Sequence, residues 1–137
     1  MTVKNAFVPA NVGDKVTFKK TLTVAEQAMF TGISGNLGGV YVDRSKAKEA
    51  GLADMAIFEL VAASLLSTCL SRLAGPTYRI ASFSIDFAAS MTVGTTVAAT
   101  AQLSETGAGG QSYDLLLEAD GTTLSTGKAV LVPIVAR

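Results

Sequence analysis

The sequence predicts an α+β fold in which a curled antiparallel sheet wraps one long central helix. Three observations predict it. Residues 55–73 read as a long helix that is apolar around much of its circumference. Four extended segments follow it in succession, each bounded by turn signals, and one more precedes it. A helix of that kind must be covered on several sides, and a sheet that curls around it does so.

Taken in order, residues 1–14 lack periodicity and contain Pro9 and a Gly13-Asp14 turn signal, so they form an arm. Residues 16–22 alternate apolar and polar, as a half-buried strand does. Thr23 and Glu26 have capping-box spacing, which starts a short helix running to about Phe30 or Thr31. Gly32, Gly35, Gly38 and Gly39 then mark a loop whose backbone can approach a ligand closely. Asp43 caps a second short helix over residues 44–50, ended by Gly51. Asp54 is the expected N-cap of the long helix, which stops before Gly75-Pro76. The strands are expected at residues 78–87, 95–103, 112–118 and 122–133, and Asp120-Gly121 is a strong hairpin signal. Such a sheet has open edges, and pairing two copies edge to edge into a homodimer is one way to cover them.

A chain of 137 residues suits a single domain spanning residues 1–137. With 49% hydrophobic and 16% charged residues it is expected to fold rather than remain disordered. Eleven basic and eleven acidic residues cancel, and no Lys/Arg run provides the electrostatic footprint of a nucleic-acid binder. The lone Cys69 offers no internal disulfide and the N-terminus has no leader pattern, so the expected location is the cytoplasm. The longest apolar region is interrupted by Glu59 and is too short and too polar to span a membrane. The absence of histidine argues against a metal site, and the glycine-rich segment has neither a Walker lysine nor a dinucleotide fingerprint.

Several segments together carry a family resemblance. Residues 30–43, FTGISGNLGGVYVD, align without gaps on the motif S/T-G-D-x-N-P-x-H-x-D of MaoC-like R-specific enoyl-CoA hydratases. Ala47 to Gly51 resembles the family's A-x-x-x-G helix, residues 63–67 (ASLLS) its A-S-L-I-S segment, and residues 83–96 its F-x-x-P-V-x-x-G-D-T strand and turn. The resemblance runs from about Val16 to the end. It implies a hot-dog fold and an acyl thioester, on coenzyme A or acyl carrier protein, as substrate, with no further cofactor. In that family an Asp and a His activate a water, and an amide at the start of the central helix polarises the thioester carbonyl.

The departures fall on the chemistry. Asn36 stands at the Asp position and Tyr41 at the His position. Asn has no useful basicity, and an unperturbed Tyr with a pKa of about 10 is neutral near pH 7. Gly38-Gly39 replaces Asn-Pro, and the family's A-H-G-M aligns on residues 57–60, which puts Glu59 where the glycine that presents its amide stands. The resemblance makes Asn36, Tyr41 and Glu59 the candidate catalytic residues and Gly35, Gly38, Gly39, Phe58 and Leu60 the candidate substrate-binding ones. Three functions follow: altered or attenuated hydration/dehydration of an enoyl thioester, thioester hydrolysis with Glu59 as base, or a catalytically silent binding or partner subunit. Against its catalytic role, Glu59 has a structural alternative, a hydrogen bond or an ion pair with Arg72 or Arg79 across a dimer. Cys69 is expected to be an inert core residue.

Overall fold

The computed structural model describes residues 6–135. Along the chain it contains β1 (Lys15–Thr21), α1 (Val24–Ser34), α2 (Gly39–Val42), α3 (Arg44–Glu49), α4 (Glu59–Ala74), β2 (Tyr78–Phe87), β3 (Thr96–Gly107), β4 (Gly110–Ala119) and β5 (Thr122–Pro133). The strands form one five-stranded antiparallel sheet in the order β1-β3-β4-β5-β2. With α4 held against the inner face of that sheet, this is a hot-dog fold, as expected. Residues 1–5 of the expected arm lie outside the described residues.

Alternation along the strands decides what faces the helix. Val97, Ala99, Ala101 and Leu103 of β3, Tyr113, Leu115 and Leu117 of β4, and Ala129 and Leu131 of β5 are all buried. They share one core with Val61, Ala62, Leu65, Leu66, Cys69, Leu70 and Leu73 of α4. Burying each Leu of that set stabilises the fold by roughly 2 kcal/mol. Ala99 and Ala101 are small, and the helix comes close enough for the Cys69 thiol to donate to the Ala99 carbonyl oxygen at 3.3 Å. Burial pushes that thiol above its ordinary pKa, in keeping with an inert core residue.

The long helix starts at Glu59, four residues later than the Asp54 cap implies. Tertiary hydrogen bonds take the intervening backbone. The Ala56 amide donates to the Val40 carbonyl (2.9 Å), the Ile57 amide to the Met91 carbonyl (2.8 Å) and the Phe58 amide to the Gln27 side chain (3.1 Å). Residues 55–58 therefore run as an extended strip, with Ala56 bridged to Thr92. Asp54 is held elsewhere: its Oδ1 accepts from the Met55 amide at 2.8 Å and from Arg44 Nε at 2.7 Å, and the Arg44 contact lowers its carboxyl below the usual range.

Two smaller differences have simple causes. α1 continues past Thr31 to Ser34, so Gly32 is helical, and the stop comes at Gly35 in the left-handed region (φ 73°). The β3–β4 pair continues to Gly107 and Gly110, beyond the end of the apolar pattern at Leu103. Main-chain pairing carries it past the core, where residues 104–109 are exposed.

Candidate functional site

Three elements meet where α4 begins. The Thr23–Glu26 capping box starts α1 as the spacing predicts, with the Thr23 hydroxyl accepting from the Ala25 amide and Glu26 accepting from the Thr23 amide. That start turns Gln27 and Phe30 inward, one helical turn apart. Asp43 caps α3 by accepting from the Ser45 and Lys46 amides, and this fixes the end of the α2 turn that carries Tyr41.

The Tyr41 ring stacks on Phe58, with centroids 4.4 Å apart and planes 15° apart, and Phe58 in turn packs on Phe30 at 4.7 Å. The stack carries the Tyr41 hydroxyl to Glu59, where it donates to Oε1 at 2.5 Å and lies 3.1 Å from Oε2. A phenol giving its proton to a carboxylate in this way makes a charge-assisted bond. That bond, reinforced by burial and by the Glu59 charge, pushes the Tyr41 phenol up to about 12. Tyr41 is therefore a neutral donor across the physiological range, and the acceptor capacity of the pair resides on Glu59. Within the chain Arg72 lies over the Phe18 ring at 5.4 Å.

The other expected residues divide. Phe58 is buried within the stack, while Leu60 is 59% exposed beside it on α4. Asn36 forms no bond to the Tyr41–Glu59 pair. Its Oδ1 accepts from the Gly38 amide at 2.8 Å, its own amide donates to the Ser34 hydroxyl and its carbonyl accepts from the Thr31 hydroxyl. Gly38 is the spacer between them, since a Cβ there would lie 3.1 Å from Asn36 Oδ1 and 3.2 Å from the Tyr41 ring. Gly35 ends α1, and Gly39 starts α2 beneath the Lys46 side chain, which approaches a built Cβ to 2.5 Å.

The residue that sequence reasoning missed is Gln27. It is 4% exposed, and its Nε2 donates to the Tyr41 and Ala56 carbonyls, both at 2.8 Å, while its Oε1 accepts from the Phe58 amide. The available signal was its place three residues before Phe30 on the inward face of a capped helix. Among the described residues the next two amides of α4, those of Glu59 and Leu60, make no hydrogen bond, and they lie at the positive end of the helix.

Open space adjoins this centre on several sides. An apolar groove of about 340 Å³ between α1 and α4 is lined by Leu22, Met29, Phe30, Ile33, Val61 and Leu65. A cavity of about 260 Å³ lies among Val24, Gln27, Ala28, Leu37, Tyr41 and Met55. A third space, about 410 Å³, opens between Glu59 and residues 87–90. Among the described residues no cluster of His, Cys, Asp or Glu is placed to hold a metal, and no helix is long and apolar enough to cross a membrane.

Comparison with solved structures finds the same fold in proteins of low identity. The (R)-hydratase from A. caviae involved in PHA biosynthesis superposes with a TM-score of 0.85 at 22% identity, covering 91% of this chain and 98% of that one. An R-hydratase from Pseudomonas aeruginosa gives 0.84 at 15% identity, covering 90% and 82%. A mutant of a fluoroacetyl-CoA-specific thioesterase gives 0.68 at 12% identity, covering 93% and 90%. No curated protein sequence matches. Residues 50–126, from the end of α3 through α4 and into β5, match the family model of the thioesterase superfamily. That match spans more than half of the sequence and includes the strip, α4 with Glu59 and the strands β2 to β4, while Gln27, Phe30 and Tyr41 lie before it; the chain belongs to the thioesterase superfamily.

Proposed function

We propose that this protein hydrolyses an acyl thioester carried on coenzyme A or acyl carrier protein, with Glu59 as general base. The observation that carries the reading is the Tyr41–Glu59 hydrogen bond at the first turn of α4. In the proposed step Glu59 takes a proton from water as the oxygen adds to the thioester carbonyl carbon. The unpaired amides at the start of α4 receive the developing oxyanion. The carbon–sulfur bond then breaks and the departing thiolate takes the proton back from Glu59. Tyr41 holds the carboxylate in place, and water is the only co-reactant, so no cofactor is required.

The groove between α1 and α4 suits the acyl chain, because its wall is apolar and it ends at Phe30, the outer ring of the stack that leads to Glu59. On this reading Asn36, Gly35, Gly38, Gly39 and Leu60 would border the approach of the thioester, with the Asn36 carboxamide nitrogen, whose oxygen is taken by the Gly38 amide, left to contact it or its carrier. A homodimer joined along the free edge of β2, where Ile80, Phe83 and Phe87 are exposed, would cover that edge.

A second reading is hydration of an enoyl thioester, favoured by the motif resemblance and by the direct contact of a proton acceptor with a proton donor. Glu59 would activate the water, and Tyr41 would protonate the α-carbon. A panel of saturated acyl-, enoyl- and 3-hydroxyacyl-CoAs separates the two. Thiol release from saturated substrates supports hydrolysis, loss of enoyl absorbance without thiol release supports hydration, and binding with neither reaction identifies a silent subunit.

A further inference from the structure

We infer that Gln27 is the positioning residue of this centre, a side chain that touches no substrate but fixes Tyr41 and the start of α4 relative to each other. The inference rests on the proposed role of the Tyr41–Glu59 pair. Three features of Gln27 carry it.

The first is connectivity. One carboxamide joins three segments: it projects from α1, donates to the carbonyl of Tyr41 in α2, and brackets the strip before α4 by donating to Ala56 and accepting from Phe58. The residue that bears the phenol and the residue preceding the carboxylate are thus held by the same planar group. The backbone bond from the Ala56 amide to the Val40 carbonyl ties the same two segments, but it engages neither Tyr41 nor Phe58.

The second is chemical fit. Both Nε2 hydrogens are used and the oxygen accepts, all within a site that is nearly closed to water. Glu in its place keeps the acceptor and loses donors. Met keeps the length and loses everything, leaving two carbonyls and one amide buried without partners.

The third is which amide is free. Because Gln27 Oε1 accepts from the Phe58 amide, the first unpaired donors of α4 are those of Glu59 and Leu60. Gln27 therefore selects the amides that can face a carbonyl oxygen, as well as the place of the phenol that holds the base.

The test uses the full chain with labelled tyrosine, followed by NMR in wild type, Gln27→Met and Gln27→Glu. The Tyr41 resonances are assigned by Tyr41→Phe, and thermal melts establish that each variant is folded. The Tyr41 ring protons in the wild type are expected to be shifted upfield by the stack on Phe58. In Gln27→Met they move toward free-tyrosine positions, and the Tyr41 phenol titrates closer to its ordinary value. With saturated acyl-CoA, kcat falls at least tenfold while KM changes less than threefold. Gln27→Glu, which keeps size and acceptor, lies between the two and serves alone if Gln27→Met does not fold. Folded variants with unchanged Tyr41 signals overturn the inference, as do moved signals with unaltered kcat. Moved signals in a protein that turns over no thioester support the inference while refuting the hydrolase reading.

Discussion

Glu59 accepts the Tyr41 hydroxyl at 2.5 Å although the two residues are 18 positions apart and belong to separate helices. In the proposed hydrolysis Glu59 is the base and Tyr41 holds it. Glu59→Gln preserves shape and removes the base, so turnover of a saturated acyl-CoA is expected to fall on the order of 100- to 10,000-fold with little change in KM. Tyr41→Phe removes only the holding bond and is expected to cost on the order of tenfold. A thiol-release assay reads both, and equal losses in the two variants would refute this division of roles.

The same bond makes stability depend on alkaline pH. The folded Tyr41 phenol is pushed up to about 12, from an ordinary value of about 10 in the unfolded chain. Between those values the unfolded state binds fewer protons, so stability falls as pH rises. The contribution is full below pH ~10 and gone above ~12. Tyr113 behaves likewise, raised to about 12 by burial and then by the nearby Tyr78. Urea midpoints are expected to drop between pH 9.5 and 11.5, with a shallower drop in Tyr41→Phe; identical slopes would show that the pair is not formed in solution.

Gly127→Ala is expected to destabilise the fold by roughly 3 kcal/mol or more, read from urea unfolding. A Cβ at Gly127 collides with the Ser84 carbonyl oxygen and lies 2.9 Å from Ile85 Cα, both main-chain atoms of β2 that cannot swing aside. Gly107→Ala is the control, because nothing lies within 4 Å of its built Cβ. Equal effects at the two glycines would contradict the close approach of β2 to β5.

The uncovered apolar residues of β2 lead to a prediction about assembly. Light scattering is expected to give twice the chain mass for the wild type and the single mass for Phe83→Lys, since Phe83 lies on the free-edge strand and is 38% exposed. A monomeric wild type would refute the β2 homodimer.

What the sequence made legible was mostly local chemistry. The Thr23–Glu26 box, the Asp43 cap, the left-handed Gly51 (φ 92°) and the Asp120-Gly121 turn (φ 51° and 75°) each act within a few residues of chain. They fall where neighbouring residues alone place them. The start of α4 was misplaced because Asp54 has a good capping side chain, yet Val40, Met91 and Gln27 claim the amides that follow it from far along the chain. Gln27 was missed for a related reason: a glutamine in a short helix ordinarily faces water, its place before Phe30 shows only that it turns inward, and its three partners become visible only when α2 and the strip are folded against it. Tyr41 and Glu59 were singled out by the resemblance, but nothing in the sequence placed them in contact with each other.

The shortness of Ala99 and Ala101 reaches beyond packing. With Cys69 against the Ala99 backbone, the interval beneath α4 is filled by the protein's own atoms. In the proposed hydrolysis the acyl tail would run along the outside of the helix, past Met29 and Ile33, which belong to the rim and not to the interior. On that reading, exchanges at Met29 and Ile33 would change tail-length preference while leaving folding energy nearly untouched, since both side chains are exposed.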